Sequence, residues 1–143
     1  MSLKHESFQV SGLLSNTHIQ SLLASSKLRK RLLSAQSKAL RDSEKNLILA
    51  CGNGVRLHAL VSENRHMPDS ENQGKLVILI HGWEGSSEST YLLSAASTLF
   101  NAGYSVIRLH LRDHGPSASL NTELFHAARL DEVVGAIREI NQR

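Results

Sequence analysis

His81 and Gly82 stand where a bare apolar run, LVILI at residues 76–80, gives way to a turn rich in glycine and serine and then to the start of a helical pattern. A junction of this kind can cradle a phosphate or hold the negative oxygen that develops in acyl transfer. A Walker-type phosphate loop needs GxxxxGK followed by Ser or Thr, because its amides wrap the phosphates while the lysine neutralises charge. Here there is no lysine, the interval from Gly82 to Gly85 is too short, and Glu84 would set a carboxylate against any phosphate. Nor is GWEGSS the GxGxxG of dinucleotide binding. An oxyanion site needs a preorganised backbone N–H aimed at the reacting oxygen. On that reading Gly82 takes a backbone shape closed to residues with a Cβ, Trp83 supplies the N–H with its indole as part of a pocket wall, and His81 belongs to the turn. On the His-Gly pair alone, a plain strand-to-helix turn with a satisfied histidine fits equally well.

Other reactive side chains carry less. His110 and His114 lie four apart in HLRDH, but the HExxH glutamate is missing, and on a strand end this spacing does not bring two side chains together. No metal site is expected. Asp113 is read as organising its loop, and His126 as lying at the start of the last helix. Cys51, the single cysteine, has no disulfide or zinc-finger partner and reads as a small, partly buried apolar residue.

These residues need a scaffold, and the hydrophobic pattern supplies one. NLILA, the turn CGNG and VRLHALV read as a hairpin, with Gly52 and Gly54 tolerating positive φ. Residues 63–75 form a polar loop, and LVILI has the continuous apolar character of a parallel strand covered on both faces. Leu92, Leu93, Ala95, Ala96, Leu99 and Phe100 share one helical face, and Gly103 stands where the helix should stop. YSVIRLHL reads as another strand. The segment from about Leu124, with Leu130, Val133, Val134, Ile137 and Ile140 at helical spacing, reads as a final helix. Near the start, Asn16 is a candidate N-cap for a helical arm over residues 16–33. Strand, crossover helix and parallel strand make a right-handed βαβ unit, so the class is α/β.

The stretch HGWEGSSESTYLLSAASTLFNAGYSVIRLHLRDHGPS resembles the α/β-hydrolase pattern of an HG loop, a helix, an AGY turn and a fourth strand closing in an R-x-HG-x-S loop. With NTHIQSLL near the start, LNTELFHAARLDEVVGAI at the end, and the hairpin, it is similar to the YheT-like branch, predicted hydrolases related to acylglycerol-lipase-like and phospholipase-like members. The resemblance implies the N-terminal portion of an α/β-hydrolase fold, a β-hairpin followed by βαβα, ending before the nucleophile-elbow strand. Residues 1–45 would be a helical, basic arm and residues 46–143 a partial hydrolase domain. It implies a serine hydrolase of the esterase or lipase type acting on a small-molecule ester or acyl substrate without a cofactor. Its oxyanion turn would be His81, Gly82 and Trp83, while the nucleophilic serine in GxSxG and the triad acid and base are absent. GSSES (85–89) and GPSAS (115–119) place Ser87 and Ser117 third but end in Ser where the elbow needs Gly. The chain alone is therefore expected to be inactive, a truncated fragment or an interaction module that needs a complementing half. LVILI, left without one strand partner, is expected to make it self-associate.

Charge adds one local feature to a net +3: Lys27, Arg29, Lys30, Arg31, Lys38 and Arg41 lie together with no acid among them. A solvated helix face explains this, and a peripheral membrane contact through residues 27–41 stays open because leucines interleave with the charges. Nucleic-acid binding is not expected, since no aromatic residue interleaves with the run. With no apolar run approaching the ~20 residues of a membrane span and no signal-peptide pattern, a cytoplasmic location is expected.

Overall fold

A computed structural model describes residue 10 and residues 12–24, 27–65, 70–126 and 128–143. The centre of the expected polar loop, 66–69, lies outside that description. So do the junction 25–26 within the expected arm and residue 127 in the C-terminal run. The side chains of 23, 24 and 27–30, half of the basic run among them, are likewise outside it.

The elements are helices α1 (Thr17–Ala24), α2 (Lys27–Gln36) and α3 (Lys38–Asp42), strands β1 (Glu44–Ala50), β2 (Arg56–Ser62) and β3 (Leu76–Ile80), helix α4 (Thr90–Asn101), strand β4 (Ser105–Leu109) and helix α5 (Leu130–Asn141). The four strands form one mixed sheet in the order β1-β2-β4-β3, with β3 and β4 parallel and the other pairs antiparallel. This is the α/β class read from the sequence. Asn16 caps α1, its side-chain oxygen accepting the N–H of His18 at 2.9 Å and of Ile19 at 3.3 Å. The β1–β2 turn runs through three successive left-handed residues, Gly52, Asn53 and Gly54.

Side chains alternate across each strand, so the sheet has two faces of different composition. On one, Leu49, Leu57, Ala59, Ile107 and Leu109 pack with Ala136 of α5. Gly135 makes this contact close: a Cβ there would lie 2.0 Å from the Cys51 carbonyl oxygen. On the other face Val106 packs with Leu93, Ala96 and Phe100 of α4 and with Leu33 and Leu40 from α2 and α3.

Three sequence expectations are corrected. The final helix begins at Leu130, and the segment before it, including His126, is irregular. In α4 it is Ser97 that joins the buried face, its hydroxyl donating to the Leu93 carbonyl at 2.7 Å, while Ala95 is exposed. LVILI is only partly covered, with Leu76 45% and Ile80 40% exposed, so its continuous apolar character overstates the burial; its place at the sheet edge, with one strand partner missing, is as the resemblance implied.

Candidate functional site

The two parallel strands β3 and β4 end side by side, and the loops that leave them are tied together through imidazoles. Leu111 N–H, beyond β4, donates to His81 Nε2 at 3.1 Å, and Ser87 N–H, beyond β3, donates to His110 Nε2 at 3.2 Å. Each loop thus supplies the histidine that accepts the other loop's amide.

These bonds fix the tautomers, because a nitrogen that accepts carries no proton. His81 holds its proton on Nδ1 and donates it to the Gly82 carbonyl at 2.8 Å. His110 donates from Nδ1 to His58 Nδ1 at 3.0 Å, and His58 in turn donates from Nε2 to Asn46 Oδ1 at 2.8 Å. All three rings are buried, and burial lowers the pKa of each. His110 is pushed down to about 4, first by burial and then by the charges of His58, His81 and Arg108. His58 is lowered by burial. His81 is lowered first by burial and further by His114, against the Gly82 carbonyl, which favours its protonated form.

The turn itself is built on Gly82. Its carbonyl receives the His81 proton and the Gly85 N–H, the latter at 2.9 Å, and its own N–H donates to the Tyr91 hydroxyl at 2.7 Å. In a trans peptide the C=O and the following N–H point in opposite directions. Drawing the Gly82 carbonyl toward His81 and Gly85 therefore turns Trp83 N–H the other way. Among the described residues no acceptor meets the N–H of Trp83 or of Glu84.

One expectation about this turn fails. Gly82 does not adopt the left-handed conformation, and a Cβ on it would meet only Tyr91 Oη at an ordinary 3.6 Å. The left-handed residue is Glu84, at φ 53°. The position that needs glycine for space is Gly85, where a Cβ would sit 2.9 Å from the Gly82 carbonyl oxygen. A four-residue turn with positive φ at its third residue and a backbone bond from its fourth to its first accounts for both.

Trp83 stands 73% exposed, its indole edge-on to Phe125 at 5.9 Å, and Phe125 in turn meets the His114 ring at 5.0 Å. His114 packs on His81 at 4.7 Å and donates from Nδ1 to the Arg112 carbonyl at 2.7 Å. A cleft of about 370 Å³ opens beside them, walled by Ile80, His81, Trp83, Leu111, Phe125 and Leu130 among others. Arg112, buried, closes its floor in a bidentate pair with Glu132 at 2.7–3.1 Å and so anchors the β4 loop to α5. Asp113, at φ 59°, and Gly115 turn that loop.

Neither candidate serine is presented to this cleft as a nucleophile. Ser87 and Ser117 are both buried. The Ser117 hydroxyl accepts His58 N–H at 2.8 Å and donates to the His110 carbonyl at 3.2 Å, which makes it a joint between strands. His110 faces His58, not His114, and among the described residues no group of three His, Cys, Asp or Glu is placed to hold a metal. Burial pushes the Cys51 thiol up to about 11, outside the range of a reactive thiolate at neutral pH. Among the described residues no helix is long and apolar enough to cross a membrane.

Sequence reasoning missed His58, Arg108, Arg112 and Tyr91. Arg108, buried on β4, donates to the Ser87 carbonyl at 2.8 Å and to Glu88 at 3.2 Å and pairs with Glu44 at the start of β1, so it holds the β3 loop down on the sheet. For His58 and Arg108 the alternating RLHALVS and SVIRLHL runs carry the only signal, and such alternation ordinarily points polar residues to water; Tyr91 and Arg112 lie outside both runs.

The chain is similar in structure to an α/β serine hydrolase without a lid from Xanthomonas campestris, at a TM-score of 0.52 and 24% sequence identity, over 70% of this chain and 43% of that one. It therefore spans less than half the length of that hydrolase, and the likeness is one of fold. No protein-family model matches the chain, and no curated protein matches it.

Proposed function

We propose that this chain carries the oxyanion-hole half of a serine hydrolase site of the YheT-like type, one that acts on a carboxylic ester or other acyl substrate. The carrying observation is the clamped Gly82 peptide: its carbonyl is held by His81 and Gly85, which leaves Trp83 N–H on the opposite side without an acceptor among the described residues. A donor held in place before charge develops is what stabilises a tetrahedral intermediate. The apolar cleft beside Trp83 would receive the acyl part. Since the sequence contains no GxSxG, Ser87 and Ser117 are buried, and the Ser117 hydroxyl is taken up between His58 and His110, this polypeptide by itself turns over no ester.

The amide reading is tested by titrating the isotope-labelled chain with acetate, whose carboxylate stands in for the oxyanion, and following amide protons by NMR. A saturable downfield shift at Trp83 supports it; no shift at Trp83 under conditions where the fold is intact overturns it.

A second reading, an interaction module completed by another chain, is favoured by the β3 edge. Leu76 and Ile80 are exposed there, and Leu130, Val134 and Ile137 line an open stripe on α5. Self-association through this edge follows from unpaired backbone flanked by apolar side chains. Replacing Ile80 by Lys should then shift the chain toward monomer in analytical ultracentrifugation. For the basic segment 27–41 a peripheral membrane contact remains part of the proposal, supported by Leu32 standing exposed beside Arg31. The single, buried Cys51 supports a cytoplasmic setting.

A further inference from the structure

We propose that Tyr91 is the positioning residue of the oxyanion turn, an assignment that rests on the reading of that turn given above. Gly82 is the hinge on which the turn depends, because glycine has the softest φ and ψ of any residue. Holding the direction of Trp83 N–H therefore requires both peptide planes that flank the Gly82 Cα to be fixed. The plane on the C-terminal side is held by its carbonyl, through His81 Nδ1–H and Gly85 N–H. The plane on the N-terminal side is held by its N–H, and the acceptor is the Tyr91 hydroxyl at 2.7 Å.

The geometry singles out the hydroxyl, not the ring. Tyr91 lies in the first turn of α4 and is 53% exposed, so core burial does not explain its placement. Its oxygen reaches back nine residues and also lies 3.0 Å from the point where a Cβ on Gly85 would stand. The same oxygen therefore fills the space on which the turn closes. Removing it frees the Gly82 N–H and lets the peptide preceding Gly82 rotate, which passes to Trp83 through the one residue least able to resist.

Tyr91→Phe keeps the ring and removes the acceptor. The expected result is an unchanged fold by circular dichroism, at least tenfold faster hydrogen exchange at the Gly82 amide, and loss of the acetate-dependent shift at Trp83. A Trp83 response equal in Tyr91→Phe and in the parent chain overturns the assignment. Should Tyr91→Phe fail to fold, the parent chain still decides: a Gly82 amide that exchanges at the rate of an open amide shows that the hydroxyl bond is not there and overturns the assignment. If Trp83 in the parent chain ignores acetate while Gly82 is protected, it is the oxyanion reading that fails and the positioning role falls with it.

Discussion

The two faces of the sheet are made from the same four strands by different physics. Toward α5 the strands present Leu49, Leu57, Ala59, Ile107 and Leu109, a dry layer closed by the tight Gly135–Cys51 contact. Toward α4 the same strands carry Glu44, Asn46, His58, Arg108 and His110, joined to the loop at Ser87 and Glu88. The first face is held by volume and area; the second joins an apolar cluster around Val106 and Phe100 to a layer held by hydrogen-bond direction and charge. The site loops hang from the second face. The turn at Gly82 is thus positioned by groups that must be in the right protonation state as well as the right place.

The largest test of this contrast falls on the polar face. Arg108→Leu leaves Glu44 half-buried without its partner and frees the β3 loop. Breaking a buried pair from one side costs about 3–5 kcal/mol, so thermal and denaturant midpoints should drop sharply. Adding Glu44→Gln should recover part of the loss, because burial already raises the Glu44 pKa against the pull of Arg108; no recovery would mean that Arg108 acts through packing.

On the apolar face the corresponding break is Gly135→Ala. The added methyl meets the Cys51 backbone, which cannot move without shifting the β1–β2 hairpin, and overpacking of this kind costs about 1–3 kcal/mol or somewhat more. A Gly135→Ala variant as stable as the parent, by urea unfolding, would show that α5 is not seated as described.

Acid should separate the faces. His58, His81 and His110 are buried as neutral rings with lowered pKa values. The folded chain therefore binds fewer protons than the unfolded one as pH falls through the ordinary imidazole value. Their contribution is complete above about pH 6.5 and is lost as pH falls toward the folded value of about 4 for His110. At about 1.4 kcal/mol per pKa unit, His110 alone accounts for up to about 3 kcal/mol. Protonation also places an N–H on His81 Nε2 facing Leu111 N–H, and another on His110 Nε2 facing Ser87 N–H. With the intrinsic slowing of amide exchange in acid divided out, protection at Leu111 and Ser87 should therefore fall between pH 6.5 and 4 before that at Leu57 and Ile107 does. Simultaneous loss at all four would contradict a polar face that opens by itself.

The smallest expected effect is a gain. Glu84 holds φ 53°, a conformation that costs a residue with a Cβ roughly 1 kcal/mol, so Glu84→Gly should raise the midpoint slightly by urea unfolding. A fall would mean that the Glu84 side chain holds the turn.

What the sequence made legible follows the same division. The apolar face could be read because Leu57, Ala59, Ile107 and Leu109 recur with the period of a strand, and the hairpin because Gly52 and Gly54 flag positive φ. The polar face could not. His58, Arg108 and His110 occupy the alternate positions of those strands, where the pattern of a half-exposed strand puts them in water; the β3 loop at Ser87 and the β4 loop at Gly115 and Ser117 close over them. The pairing of His81 with Leu111 and of His110 with Ser87 leaves no trace in spacing, since it depends on β3 and β4 ending in register. The His-Gly pair marked the start of a turn, but the residue under conformational strain is Glu84 and the crowded glycine is Gly85.

The most direct test of the half-site account is to incubate the purified chain with a fluorophosphonate, which reacts with activated serines, and to weigh it intact by mass spectrometry. The account predicts no adduct and no hydrolysis of p-nitrophenyl butyrate above buffer, because the turn offers amides without a nucleophile. Stoichiometric labelling of any serine would contradict it and would mean that a complete catalytic constellation exists within this chain.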